Sequence, residues 1–276
     1  IKLLTDKILT ANKIITTPPT LTTSSNNTND ESGLYVSTDT NTGDPTYYFR
    51  GDVENNYVSF AGFTWRIVRI NEDGTIRIIM QDGINNNTTY KFNSNTQNYS
   101  YMYYTNSEVK SIIEKWYQEN IGNKSDLAKN VANGNYYCEQ SKVKASSNYT
   151  SGSTNSVTYN SYKPNFKCKI DANGKGIVNS SIGLLTYDEI IHAGGYYGKL
   201  NSNYYLYNLL FNWWTMSPVG FNNSNNYAFI WHIATTGQVS DSIVDYSDVL
   251  RPVLNMSINT LVSGNGTNSN PYIVQN

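Results

Sequence analysis

Alternating apolar and polar positions dominate the first third of the chain. Tyr57-Val58-Ser59-Phe60 and Thr64-Trp65-Arg66-Ile67-Val68-Arg69-Ile70 read as strands around an Ala61-Gly62 turn. Thr75-Ile76-Arg77-Ile78-Ile79-Met80 reads as a third, entered through Asn71-Glu72-Asp73-Gly74. An Asp-Gly step between two β-branched runs is a strong hairpin signal. Arg66 and Arg69 are three apart, so they share a strand face only where a bulge intervenes. Upstream, Tyr35, Tyr47, Tyr48 and Phe49 mark strand material that Gly43-Asp44-Pro45 splits. The period changes at 108–118, where Ile112, Ile113 and Trp116 form the stripe of a helix that Asn106 or Ser107 can cap. A shorter helix is expected within 120–133. Ser181–Thr186 looks strand-like, and Thr186 with Glu189 fits a capping box opening another short helix. Further strands are expected at Tyr227–Ala234, from Gln238 onward after the Thr235-Thr236-Gly237 turn, at Leu250–Asn255 and in the tail at Tyr272–Val274.

Outside these elements the pattern weakens. Thr16, Thr17, Pro18 and Pro19 precede a Thr/Ser/Asn run to Asn29. A polar run of this kind buries nothing, and Pro stiffens it, so residues 1–32 read as an extended tether. The alternative is a strand end that docks on the domain. Residues 139–165 have almost no aliphatic periodicity and read as long surface loop between Cys138 and Cys168. That pair fits one disulfide in an exported protein, closing a loop that chain entropy values at about 3–4 kcal/mol. Its spacing suits no structural zinc. The chain opens at Ile1, so an upstream secretory signal or membrane anchor is expected. With strands dominating and two or three helices, the expected class is α+β, in one domain over 33–276.

Composition narrows the function. A net charge of −1 leaves no basic excess to neutralise phosphates, which argues against a nucleic-acid partner. No apolar run reaches the roughly 18 residues of a membrane span, so anchoring would need a segment outside this chain. The 24 Tyr residues and abundant Asn point instead to an aromatic, polar surface.

Several ordered segments carry a resemblance. They include Tyr47-Tyr48-Phe49-Arg50-Gly51-Asp52-Val53, Trp65-Arg66-Ile67-Val68-Arg69-Ile70-Asn71 and Ile182-Gly183-Leu184-Leu185-Thr186. Further on come Ala193-Gly194-Gly195, Trp214-Thr215-Met216-Ser217-Pro218, Leu250-Arg251-Pro252-Val253-Leu254-Asn255 and the Gly264-Asn265-Gly266 tail. Over roughly 33–276 the order resembles exported gut-bacterial proteins of the C-type-lectin-like fold, in the branch related to formylglycine-generating enzyme. Variable proteins of diversity-generating retroelements belong to the same branch. The resemblance implies a C-type-lectin-like domain of mixed short strands, two or three helices and long loops, with its ligand face in the C-terminal hairpin.

That face would run from Phe221 through Asn222, Asn223, Asn225 and Tyr227, and then from Gln238 through Ser240, Asp241 and Ser242 to Asp245, Tyr246 and Ser247. In a period-two strand Tyr227, Phe229 and Trp231 lie on the side opposite Ala228 and Ile230. The aromatic set suits a contact surface, with His232 alongside. The reverse orientation would bury Phe229 and Trp231. The expected ligand is a protein or glycan.

Chemistry is weakly signalled. Formylglycine-generating enzymes need a reactive cysteine pair near the C-terminal core, and no cysteine follows Cys168. His192 and His232 are the only histidines, and a lone His is more often structural. Ser217 lacks the glycines of a nucleophile elbow. Asp188 and Glu189 are adjacent, and helix geometry points neighbours apart. Asp241, Asp245 and Asp248 match no EF-hand spacing. Arg66, Arg69 and Arg251 are expected to pair with carboxylates or buried carbonyls, and of Trp213 and Trp214 one ring is expected in the core and one nearer the ligand. The expectation is thus a non-enzymatic, surface-displayed binding protein without cofactor or metal. The alternatives are a pilus or surface-layer subunit, and a hydrolase or oxidase with an unrecognised site.

Overall fold

A ten-stranded sheet grows around the hairpin that the alternation at 57–80 predicts. The structure is a computed structural model and describes residues 1–21, 30–134, 136–142, 162–171 and 173–275. The chain opens with β1 (Lys2–Leu3), α1 (Leu4–Ala11) and β2 (Ile14–Ile15), followed by β3 (Gly33–Ser37), β4 (Thr46–Arg50), β5 (Tyr57–Phe60), β6 (Phe63–Ile70) and β7 (Ile76–Met80). After β8 (Thr89–Lys91) come α2 (Glu108–Tyr117), β9 (Tyr136–Cys138), β10 (Ile177–Asn179) and α3 (Tyr187–Ala193). The C-terminal third holds β11 (Tyr196–Tyr197), β12 (Trp213–Asn222), β13 (Tyr227–Ile233), β14 (Gln238–Ile243) and β15 (Ser247–Val249). It closes with β16 (Val253–Met256), β17 (Leu261–Ser263) and β18 (Tyr272–Val274).

Strand β6 is the axis of the large sheet. One edge is shared between β5, along its first half, and β4, along its last residues, while β7 runs along the other edge. The β5–β6 turn needs both central residues at positive φ, and Ala61 (55°) and Gly62 (83°) supply them. β16 adds to β7, and β18 lies between β5 and β17. The tail strand is therefore internal. A second sheet has the order β11-β14-β13-β12-β15-β8. α2 forms where its stripe predicts, with the Ser107 hydroxyl accepting from the Lys110 amide at 3.2 Å. Its Val109, Ile113 and Trp116 are buried, and the Trp116 ring packs on Phe63 and Trp65.

Two expectations are corrected here. The C-type-lectin-like arrangement is overturned: the chain is an α+β mixture that is mostly β, with 34% of the residues in strand and 18% in helix, spread over multiple sheets with few helices. The chain ends enlarge the β part, since β1, β17 and β18 all join the large sheet. Nor do residues 1–15 behave as a tether. β1 pairs with β17 and β2 with β3, and Leu4 and Ile8, one turn apart on α1, are fully buried. Two such side chains stabilise docking by about 1.5–3 kcal/mol each. The Thr/Ser/Asn run at 22–29 lies outside the described residues.

The Cys138–Cys168 disulfide forms, as the single cysteine pair predicts. Of the loop expected between the cysteines, residues 143–161 lie outside the described residues. Its described N-terminal end is not free surface, for Glu139 and Lys142 are buried. No helix among the described residues is long and apolar enough to cross a membrane. Reduction, or Cys138→Ser with Cys168→Ser, should lower unfolding free energy by about 3–4 kcal/mol. Urea titration with and without reductant measures the difference.

Candidate functional site

One bulge sets the geometry of the site. Arg66 pairs with Ile79 and Ile67 with Ile78, but Arg69 pairs with Arg77. Val68 is the extra residue, and it brings Arg66 and Arg69 onto one face. Directly opposed residues share a face, so the row across the sheet there reads Tyr48, Arg69, Arg77, Asn255.

Helix α3 lies over this row and is held at both ends. At its start the Thr186 hydroxyl accepts from the Glu189 amide (3.1 Å), and Glu189 Oε2 accepts from the Thr186 amide (3.0 Å). This is the capping box that the sequence predicts. Ser217 Oγ accepts from the Tyr187 amide at 2.9 Å, so its hydroxyl supports this helix start. At the other end Arg50 donates to the carbonyls of Ile191 (2.8 Å) and His192 (3.0 Å). A cation there satisfies free carbonyls and suits the negative end of the helix dipole.

The second oxygen of Glu189 joins helix to sheet. Oε1 accepts from Arg69 Nε at 3.2 Å and from Arg77 Nη1. Arg69 also donates to Thr46 Oγ1 and Glu72 Oε2, and Arg77 to Asn255 Oδ1 and the Tyr136 carbonyl. Burial by itself raises the Glu189 pKa. The Arg77 and Arg69 charges and the Thr186 amide outweigh it and bring the carboxyl down to about 2.

Above the network is a cavity of about 290 Å³. Arg69, Arg77, Asn71 and Glu189 line its floor, and Phe166, Tyr137 and the disulfide line its walls. The guanidiniums sit over the aromatic rings, Arg69 on Phe166 at 4.9 Å and Arg77 on Tyr137 at 5.0 Å. Tyr136 and Ile177, 57% and 54% exposed, line the cavity from the solvent side. Asn71 Oδ1 is buried there with no hydrogen-bond partner among the described residues. Beside the cavity, buried His192 donates from Nδ1 to the Asp188 carbonyl (2.7 Å), between the rings of Phe166 and Tyr48. Burial lowers its pKa to about 4 and keeps it neutral.

Four residues of the expected C-terminal face are withdrawn from the surface. Phe229 and Trp231 are buried, as are Asn222 and Ser242, while Phe221, His232, Gln238, Ser240, Asp241 and Asp245 are half-buried. Only Asn223, Asn225, Tyr227, Tyr246 and Ser247 of the expected set are exposed. The reason is that β13 is covered on both faces. Trp231 packs on Tyr187 (4.6 Å) and Tyr197 (5.3 Å), and on the other side Trp214 packs between Phe92 and His232. Trp213 and Trp214 are both fully buried, so both rings sit in the core rather than one in the core and one toward a surface face. Asn222 Oδ1 instead accepts from the Ser224 and Asn225 amides and builds the turn. His232 is held by Asp248 (2.7 Å), tying β13 to β15. No group of three or more His, Cys, Asp or Glu side chains among the described residues could hold a metal, and Asp241, Asp245 and Asp248 make none.

The arginine expectation holds. Arg66 bonds Asn56 and the Val53 carbonyl, Arg69 two glutamates, and Arg251 the carbonyls of Met80 and Leu206. Sequence reasoning missed Arg77, Asn71, Asn255, Tyr137 and Phe166 as one constellation. The available signal was charge inside apolar strand runs, which demands a buried partner. No family model, no curated protein and no solved structure matches the chain.

Glu189→Gln leaves two buried guanidiniums without their shared charge. The expected loss is about 3–5 kcal/mol, or about 10 °C in Tm, read by calorimetry. His192 gives a pH signature. Its folded pKa of about 4 lies below the ordinary 6.5, so only the unfolded chain takes up the proton between those values. Stability is full above pH 6.5, falls by up to about 3 kcal/mol as pH drops through that window, and levels off below about 4. Urea midpoints at several pH values should show this slope, and His192→Gln should flatten it. Glu189 contributes lower down, its stabilisation lost as pH falls from 4.5 toward about 2.

Proposed function

We propose that this chain is a non-enzymatic binding domain of an exported protein, and that the cavity over Glu189 holds its ligand. The observation that carries this is the closed floor. Glu189 is shared by Arg69 and Arg77, and Arg69 is shared again with Glu72. Such a floor presents fixed donors and acceptors without a free charge. General acid–base work needs a pKa near the working pH, and Glu189 at about 2 and His192 at about 4 are far from it. The volume, about 290 Å³, is near the lower end of the range of roughly 300–1,000 Å³ for small-molecule pockets. The ligand is therefore the size of one sugar or one amino acid, free or displayed on a larger chain. Export is supported by the disulfide, which persists in oxidising compartments.

A second reading rests on exposed aromatics. Tyr227 and Tyr246 are 39% and 60% exposed, and the Val244 amide bonded to the Ala228 carbonyl brings their segments together. Tyr gives large contact area at low entropic cost, so a macromolecular partner would dock there, beside Asn223 and Asn225.

Thermal-shift screening with monosaccharides and N-acetyl amino-acid amides, followed by calorimetric titration of any hit, separates the two. Tyr136→Ala and Ile177→Ser, both at exposed side chains, should weaken a hit about 10-fold, the loss of a contact that carries binding energy. Tyr227→Ala with Tyr246→Ala should leave it unchanged. The opposite pattern would move the site to the C-terminal turns.

A further inference from the structure

Beside the cavity, outside the Glu189 network, an amine and a carboxyl are buried together. Lys142 Nζ lies 3.4 Å from Asp188 Oδ2, with side-chain exposures of 4% and 1%. Asp188 is in the first turn of α3, which the capping box and Arg50 hold in place. The Tyr162 hydroxyl is 2.9 Å from Asp188 Oδ1 and 2.8 Å from Oδ2, and donates to this carboxyl. The Asn165 amide approaches Oδ2 at 3.4 Å. The Tyr162 and Tyr187 rings lie near each other at 6.1 Å.

We propose that Lys142 and Asp188 form an intramolecular isopeptide bond. In water the pair is an ammonium and a carboxylate, and neither reacts. Burial disfavours the Asp188 carboxylate, and transfer of a proton from Nζ to it sets a neutral amine beside a neutral acid. The Nζ lone pair then attacks Cγ. The Tyr162 phenol donates to the oxygen on which negative charge develops. The Nζ–Cγ bond forms and the Cγ–Oδ2 bond breaks. The departing oxygen leaves as water, carrying the acid proton and one amine proton. One amine and one acid give one amide and one water, with no oxidant, metal or co-reactant. Well-oriented intramolecular pairs reach effective molarities of about 10⁵–10⁸ M, which favours bond formation within a fixed pair over the free groups. Burial also pushes the Asp188 pKa up, even against the Lys142 charge, so the neutral acid is accessible. The product would join the segment after Cys138 to α3, beside the disulfide, and unlike the disulfide it would survive reduction.

Intact mass spectrometry of the folded, full-length chain is the test. After reduction the wild type should be lighter than its sequence by one water. Proteolysis should yield one branched peptide joining Lys142 to Asp188. Lys142→Arg should restore the full mass, and Tyr162→Phe should slow the appearance of the lighter species about 10-fold or more. A reduced wild-type mass equal to the unlinked sequence, after prolonged incubation of folded protein, overturns the proposal. So does water loss that maps to a cyclised aspartate at Asp73-Gly74 or Asp82-Gly83, since Asp-Gly steps lose water without any crosslink.

Discussion

The carboxylate of Glu189 between Arg69 and Arg77 is the interaction on which the arrangement of layers depends. Two guanidiniums on a buried sheet face are costly unless a counter-charge is brought to them. α3 brings that charge in its first turn, and one carboxylate serves both arginines and the helix cap. The bulge at Val68 turns Arg69 onto the face where α3 lies. Arg50, two residues along from Tyr48 on β4, then closes the helix C-terminus. Register, helix position and charge balance are thus one solution rather than three.

The cavity follows from the same constraint. Paired arginines with aromatic rings against them cannot be packed over by aliphatic side chains without losing hydrogen bonds, so the space beside them is bounded by the disulfide and by Tyr137 and Phe166. The disulfide ties the Phe166 segment to β9, whose Tyr136 carbonyl also accepts from Arg77. A covalent link and an ion-pair network therefore hold opposite sides of one small chamber. Its polar groups are oriented before any ligand arrives, and binding into such a site loses little to reorganisation.

The C-terminal hairpin shows how a period-two pattern can mislead. Alternation assigns one face to the core only when the other faces water. β13 lies between β12 and β14, and aromatic rings cover both of its sides. Strands buried on both faces read as near-continuous apolar runs. Ala228-Phe229-Ile230-Trp231-His232-Ile233 is such a run, with a single polar position that Asp248 satisfies.

Local chemistry determined much by itself. The Ala61-Gly62 and Asp73-Gly74 turns, the Ser107 and Thr186 caps, the α2 stripe and the single cysteine pair were all legible, because each is decided by residues close in the chain or by composition. The structural role of Arg66, Arg69 and Arg251 was legible too, since a charge in an apolar strand needs a partner wherever that partner comes from. Tertiary structure alone decided which partner. Glu189 is more than a hundred residues from Arg69, and no local pattern encodes that meeting. It also decided that the N-terminal segment docks rather than dangles, how the strands sort into several sheets, and that the aromatic hairpin turns inward. Each of these depends on which apolar surface covers which, and surface burial is shared among distant segments rather than carried by any one of them.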